Sequence, residues 1–254
     1  MLKNIFLGII THKGNLHKHT ALLHYYKTSS YDYNFFIGGD GSVLSPYINT
    51  GTLDDYINIK YKVIKMLEYA LGLPEKYDYI AKVDDDTYLD LDLLSLLDFK
   101  NADYIGILSS FNKHKIQINS SEMYYKLKTK NPKITFKSYD GYNEDFKYAM
   151  GGCYFLSRSI AEKIVKNFYN MQCPFYQEDI TIGYHCHINN AKLLDLGKLN
   201  EHYFFDIAAE GLIMHPISYL LMKKLFKIKD NFKKIKLLED YISLNPYYNN
   251  NIIK

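Results

Sequence analysis

With 254 residues, 47% hydrophobic and 23% charged, the chain has a globular composition and the length of one large α/β domain or two small ones. A net charge of +3 excludes the strong basic excess typical of a nucleic-acid binder. The run Ile5 to Ile10 is far too short to span a bilayer, and no other stretch approaches the roughly 20 apolar residues a membrane helix needs.

The first run therefore reads as a buried strand, Ile5 to Thr11, followed by a helix over Leu16 to Tyr26. Asn34 to Ile37 is a second apolar run, closed by the turn signal Gly38-Gly39-Asp40-Gly41. Tyr56 to Leu71 carries Ile57, Tyr61, Ile64, Leu67 and Leu71 at helical spacing, with Asp54 and Asp55 at the N-cap and Gly72 with Pro74 as the stop. Tyr77 to Val83 is a strand running straight into Asp84-Asp85-Asp86. This alternation predicts an α/β fold with a mostly parallel sheet, in which ligands bind beyond the carboxyl ends of the strands. Ile105 to Ser109 is a candidate strand, and the Lys- and Tyr-rich stretch 113–137 has no clear pattern. Cys153 to Leu156 reads as a short strand after Gly151-Gly152, Ser157 caps a helix from Arg158 to Tyr169, and another helix begins near Glu178.

From Tyr219 to Leu244 apolar residues recur every three or four positions among lysines, an amphipathic helix. It either covers the core with its lysines in water, the favoured reading, or touches an anionic membrane surface peripherally. The chain is thus read as a single domain, 1–254, with 219–254 as a Lys-rich helical extension. Cys153, Cys173 and Cys186 are odd in number and at no metal-like spacing, so reduced thiols are expected. No signal peptide or anchor is visible, which implies a cytoplasmic protein. Arg158 is the one arginine, and abundant Lys, Asn, Ile and Tyr suggest an AT-rich genome, for instance that of a large DNA virus acting in host cytoplasm or virus factory.

Four features bear on chemistry. If Asp84 to Asp86 is extended, Asp84 and Asp86 share a face, and three adjacent carboxylates at a strand end suit a hard divalent ion; a solvated acidic turn is the alternative. Gly151 and Gly152 let another group approach the backbone, or form an ordinary turn. Glu178 and Asp179 open a helix, either as dipole-favoured caps or as a base for an acceptor hydroxyl. His215, a lone histidine, gains meaning only if carboxylates stand near it in space.

In this order the features resemble the β-1,3-glycosyltransferase family of galactosyl-, N-acetylglucosaminyl- and Fringe-like enzymes. Val83-Asp84-Asp85-Asp86-Thr87-Tyr88 looks like its DDD strand end, and Asp54 to Lys62 resembles its D-x-Y-x-N-L-T-x-K helix start. Tyr148 to Ser157 is similar to Y-x-x-G-G-G-Y-x-L-S, and Glu178 to Gly183 to E-D-V-x-x-G. The resemblance implies a GT-A fold, a UDP-sugar donor, Mn²⁺ (or Mg²⁺) dependence, a glycan or glycoprotein acceptor and inversion at the anomeric carbon. It would make Asp86 and His215 metal ligands, with Asp85 assisting and Asp84 on the ribose or uridine side. Gly151 and Gly152 would line the donor-sugar pocket, Asp179 would be the base, and Glu178 would orient it or bind acceptor. There are departures: the family's early Arg- and Trp-containing segment is His17 to Tyr26 here, and Cys153 replaces the third glycine. A metal-dependent phosphate-ester enzyme and a non-catalytic carbohydrate-binding protein are the competing readings.

Overall fold

Buried at every position, the opening apolar run forms β1 (Ile5–Ile10) in the computed structural model, because strands lie on both its sides and helices cover both its faces. The structure describes residues 4–74, 77–111, 144–171 and 175–196, with the backbone pairing of 213–214. Residues 113–137, His215, Cys173 and the predicted helix 219–244 lie outside the described residues.

A short 3-10 helix, Lys13–Lys18, leads into α1 (Thr20–Lys27), β2 (Asp32–Ile37), β3 (Tyr47–Asn49) and α2 (Ile59–Gly72). Then come β4 (Tyr79–Asp84), β5 (Tyr88–Leu89), α3 (Leu91–Leu96) and β6 (Tyr104–Phe111). The remainder is β7 (Phe146–Ser157), α4 (Arg158–Phe168), α5 (Glu178–Ile188), β8 (Leu193–Asp195) and β9 (Ile213–Met214). Seven strands form one sheet in the order β3-β2-β1-β4-β7-β6-β8. Pairing is parallel from β3 through β4 and again between β6 and β8; β7 runs antiparallel to both its neighbours. This is a mixed, mostly parallel sheet flanked by helices: the α/β class expected from the alternation, with β7 as the antiparallel strand that the alternation does not predict. β5 pairs antiparallel with β9, Tyr88 opposite Met214.

Side chains alternate across the sheet. Ile5, Leu7 and Ile9 join one core with Leu22, Tyr26, Leu91 and Leu94 from α1 and α3. Phe6 and Ile10 join the other with residues of α2, α4 and α5. Cys153 and Cys186 are buried free thiols. No helix among the described residues is long and apolar enough to cross a membrane.

Four local readings are corrected. The predicted helix Leu16 to Tyr26 breaks at His19, whose backbone N–H bonds Leu16 O and whose side chain turns into the interior, so α1 starts at Thr20. Asp54 and Asp55 do not cap a helix from Tyr56. Asp54 is drawn instead to Lys62 and the Lys13 and Gly38 amides, Asp55 accepts from the Asn58 amide at 2.9 Å, and α2 begins at Ile59. Gly151 and Gly152 lie inside the long strand β7 rather than before a short one. Finally, the extended backbone stops at Asp84: Thr87 N donates to Asp84 O at 3.0 Å, so Asp85 and Asp86 sit in a turn and the shared-face argument for Asp84 and Asp86 does not apply.

The packing of α5 on β7 explains one glycine of the sequence motifs. A Cβ on Gly183 would stand 2.8 Å from Tyr148 Cα, so helix and strand touch backbone to backbone there. Gly183→Ala is expected to cost about 1–3 kcal/mol through overpacking. A thermal melt should show the lower midpoint, and an unchanged midpoint would mean that the helix shifts freely.

Candidate active site

The site grows from the end of β4. Ile80, Lys82 and Asp84 share one face of that strand, while Val83 faces the other core. A lysine on a central strand is costly to bury unless paired, and Lys82 is 1% exposed. Its ammonium lies 2.7 Å from Asp84 Oδ1 and 3.5 Å from Glu178 Oε2, and it donates to the Gly151 carbonyl. One buried cation thus joins the DDD strand end, the glycine segment and the first turn of α5. Paired carboxylates more than offset its burial and hold its pKa above the ordinary lysine value.

Glu178 and Asp179 occupy the first turn of α5, where the helix dipole favours negative charge. Tyr154 donates to Glu178 Oε1, and the Ile180 amide donates to Asp179 Oδ1 at 2.8 Å. Burial pushes Glu178 up to about 7; Lys82 pulls down and Asp179 adds to the rise. Burial also raises Asp179, against the Ile180 amide and Lys82. Asp179 Oδ2 stands 3.7 Å from where a Gly151 Cβ would sit, ordinary contact distance, so the glycine leaves the place beside the carboxylate clear. Tyr56, half exposed, faces the same group: burial first, then Asp179, Glu178, Tyr176 and Asp84, push its phenol up to about 12.

Beside this cluster opens a cavity of about 520 Å³ at the carboxyl ends of β1 and β4, where ligands of open α/β sheets bind. Asp54, Asp55, Asp84, Asp85 and Asp86 line it together with Lys62. Asp85 Oδ2 accepts from Thr11 Oγ1 at 2.6 Å and Asn15 Nδ2 at 2.9 Å, and lies 3.1 Å from His19 Nε2. Burial works against its charge, but the bonds from His19, Thr11 and Asn15 outweigh that and hold its carboxyl below the usual range. Lys62, itself buried, donates to Thr11 O at 2.6 Å and to Asp54 at 2.5 Å, fixing the opposite wall.

Asp84, Gly151, Glu178 and Asp179 are therefore brought together; Gly152 takes a 3.0 Å bond from Thr87 Oγ1 through its carbonyl. Asp86 is exposed in the turn at the cavity edge. Among the described residues, no three His, Cys, Asp or Glu side chains form a ready metal-binding group. His215 is not described, but its neighbour Met214 pairs with Tyr88, two residues beyond Asp86. Lys82, Thr11 and Asn15 lie outside the sequence motifs, while Tyr154 falls in the glycine motif and His19 in the segment His17 to Tyr26. Lys82 had a signal, a charge at the i−2 position to an aspartate within a buried strand. His19 and Asn15 had none, since only folding carries that segment to Asp85.

The raised Glu178 carries a stability prediction. Its folded pKa of about 7 exceeds the ordinary 4.5, so the stabilisation is fully present below the lower value and is lost as pH rises through the upper one. Thermal midpoints of wild type should fall across that window, and Glu178→Gln should flatten the fall; parallel curves would count against a protonated Glu178.

Comparison with known proteins identifies the family. The family model described as galactosyltransferase matches residues 17–194. Among solved structures, the chain is similar to the apo-form glycosyltransferase GlyE of Streptococcus pneumoniae TIGR4, at 10% identity and TM-score 0.43, over 96% of this chain. It spans 64% of the length of that structure. It is also similar to a glycosyltransferase involved in the glycosylation of the major capsid of PBCV-1, at 13% identity and TM-score 0.48, over 88% of this chain and 99% of that one. No curated protein matches. The family match spans well over half of the chain and includes the DDD turn, the paired glycines and the acid pair; the chain belongs to the galactosyltransferase family.

Proposed function

We propose that this glycosyltransferase inverts: it moves a sugar of the galactose or N-acetylglucosamine type from a UDP-sugar to a hydroxyl of a glycan or glycoprotein, forming a β-1,3 linkage, within a single domain extended by 219–254. The observation that carries the reading is the meeting of Asp84, Gly151 and Glu178 on the Lys82 ammonium beside an open cavity. Base, glycine strand and donor-side aspartates then stand within one small volume.

The cavity wall supports a cation requirement. Five aspartates line it, and such a wall repels a diphosphate unless a divalent ion lies between. Their hard oxygen donors fit Mn²⁺ or Mg²⁺. Asp86 and His215 would hold the ion, with Asp85 assisting through the carboxylate whose other oxygen is already engaged. Bound there, the ion would stabilise the charge growing on the departing diphosphate. Asp84 contacts the ribose or uridine side, and Gly151 and Gly152 leave room for the donor sugar. Asp179 takes the acceptor proton as the acceptor oxygen attacks from the face opposite the diphosphate; Glu178 orients it. Holding the reactants in that alignment supplies much of the remaining acceleration.

A panel of UDP- and GDP-sugars, assayed by nucleotide release with Mn²⁺ and then with EDTA, tests the reading. UDP release from one donor, lost with EDTA, is expected. Turnover of phosphate esters instead, or sugar binding without release, would replace it with one of the competing functions.

A further inference from the structure

We infer that Lys82 is a positioning residue for transfer, a single buried cation that fixes the strand-end aspartate, the glycine strand and the acid pair relative to one another. The inference rests on Asp179 as the base. Lys82 does not line the cavity; it acts through Asp84, which does, and through the glycine strand and acid pair beside it. Its three partners come from β4, β7 and α5, which are separate in sequence, and its ammonium is bonded or ion-paired to all three. Tyr154, the neighbour of Lys82 across the β4–β7 ladder, closes the ring by holding the other oxygen of Glu178. Packing alone does not call for a charge here, because an apolar side chain of similar volume often serves a buried position as well or better. A lysine makes the spacing of the three elements depend on charge.

The same charge acts on the base. Asp179 is faced by Lys82 and Asp84 from β4, Glu178 from its own helix, Tyr148 from β7, Tyr104 from β6 and Tyr56 from the loop before α2. Lys82 favours its carboxylate form, while Asp84 opposes it. Without the ammonium, the carboxylate persists only at higher pH.

Lys82→Met removes the charge at similar length, and Lys82→Arg keeps it. In Lys82→Met, amide hydrogen exchange should quicken about tenfold or more at Gly151–Gly152 and in the first turn of α5, with α2 unchanged. The acid limb of kcat should move up by about one pH unit, and Lys82→Arg should move it back towards wild type. A lysine that merely supports the fold would speed exchange throughout and leave the limb in place, and either that pattern or one identical to wild type overturns the inference. Should wild type release nucleotide from no donor, the proposed function falls while the exchange pattern still decides the role of Lys82. If Lys82→Met does not fold, Glu178→Gln serves: faster exchange confined to the first turn of α5 and Gly151 supports the inference, and unchanged exchange there overturns it.

Discussion

Asp179→Asn should slow sugar transfer by about 10²–10⁴-fold, the usual worth of a positioned general base. Donor affinity should stay within a few-fold of wild type. The substitution is nearly isosteric, and the remaining Asn oxygen can still accept from the Ile180 amide that now bonds Oδ1 at 2.8 Å. What disappears is the second oxygen, the one nearest Gly151, and with it the site for the acceptor proton. The donor-side residues, Asp84 to Asp86, are untouched, so calorimetric titration with UDP should give the same affinity. The charge removed also raises its neighbour Glu178, so the Glu178 carboxyl should titrate lower in the variant. Transfer measured under single-turnover conditions isolates the chemical step. Full activity in Asp179→Asn would move the role of base to Glu178, the other acid of the pair.

The sheet is legible in the sequence where each strand is either wholly buried or ends in a turn signal. Ile5 to Ile10 has no polar residue, and Tyr79 to Val83 has only Lys82, so both read as central strands. The chain-order alternation then implies parallel pairing, because a crossover helix leaves no other short connection. The first half of β7 is harder to read. This strand begins at Phe146, five residues before Gly151, and its exposed Lys147 and Met150 hide the strand period. Its reversal against β4 is encoded by no local pattern.

At the site, legibility follows distance along the chain. The acid pair, the paired glycines and the DDD turn each appear as short strings whose composition is odd enough to notice. How Asp84, Asp85 and Asp86 divide their work is invisible in the string, because the turn that begins after Asp84, and not a strand period, sets where each side chain points. Asp84 turns to Lys82 and α5, Asp85 turns to Thr11, Asn15 and His19, and Asp86 is left at the surface by the turn. The segment His17 to Tyr26, which lacks the family's arginines, therefore contributes through His19: the imidazole packs against both Phe35 and Tyr47, with ring centroids 5.0 and 5.9 Å away, and steadies Asp85.

This division sets the second large prediction. Asp86→Ala should weaken UDP-sugar binding in Mn²⁺ by at least about 10–100-fold, since losing even an outer partner of a metal site typically costs that much. The thermal midpoint should hardly move, because substitutions at exposed positions usually change stability by about 0.5 kcal/mol or less. Asp85→Ala should behave in the opposite order. It takes the carboxylate away from the buried Thr11 hydroxyl and His19 ring, which keep each other at 3.0 Å, and hydrogen bonds to a charged group are worth about 1.5–3 kcal/mol. Its melting point should fall first, with binding lost as a consequence. Titrating both variants with and without EDTA separates the cases. Wild type and Asp86→Ala should bind donor equally weakly once the ion is chelated, because the residue's contribution passes through the ion alone. If Asp86→Ala still binds donor as tightly as wild type in Mn²⁺, the cation belongs to another carboxylate of the cavity, and Asp84, 24% exposed beside its lysine, is the next to test.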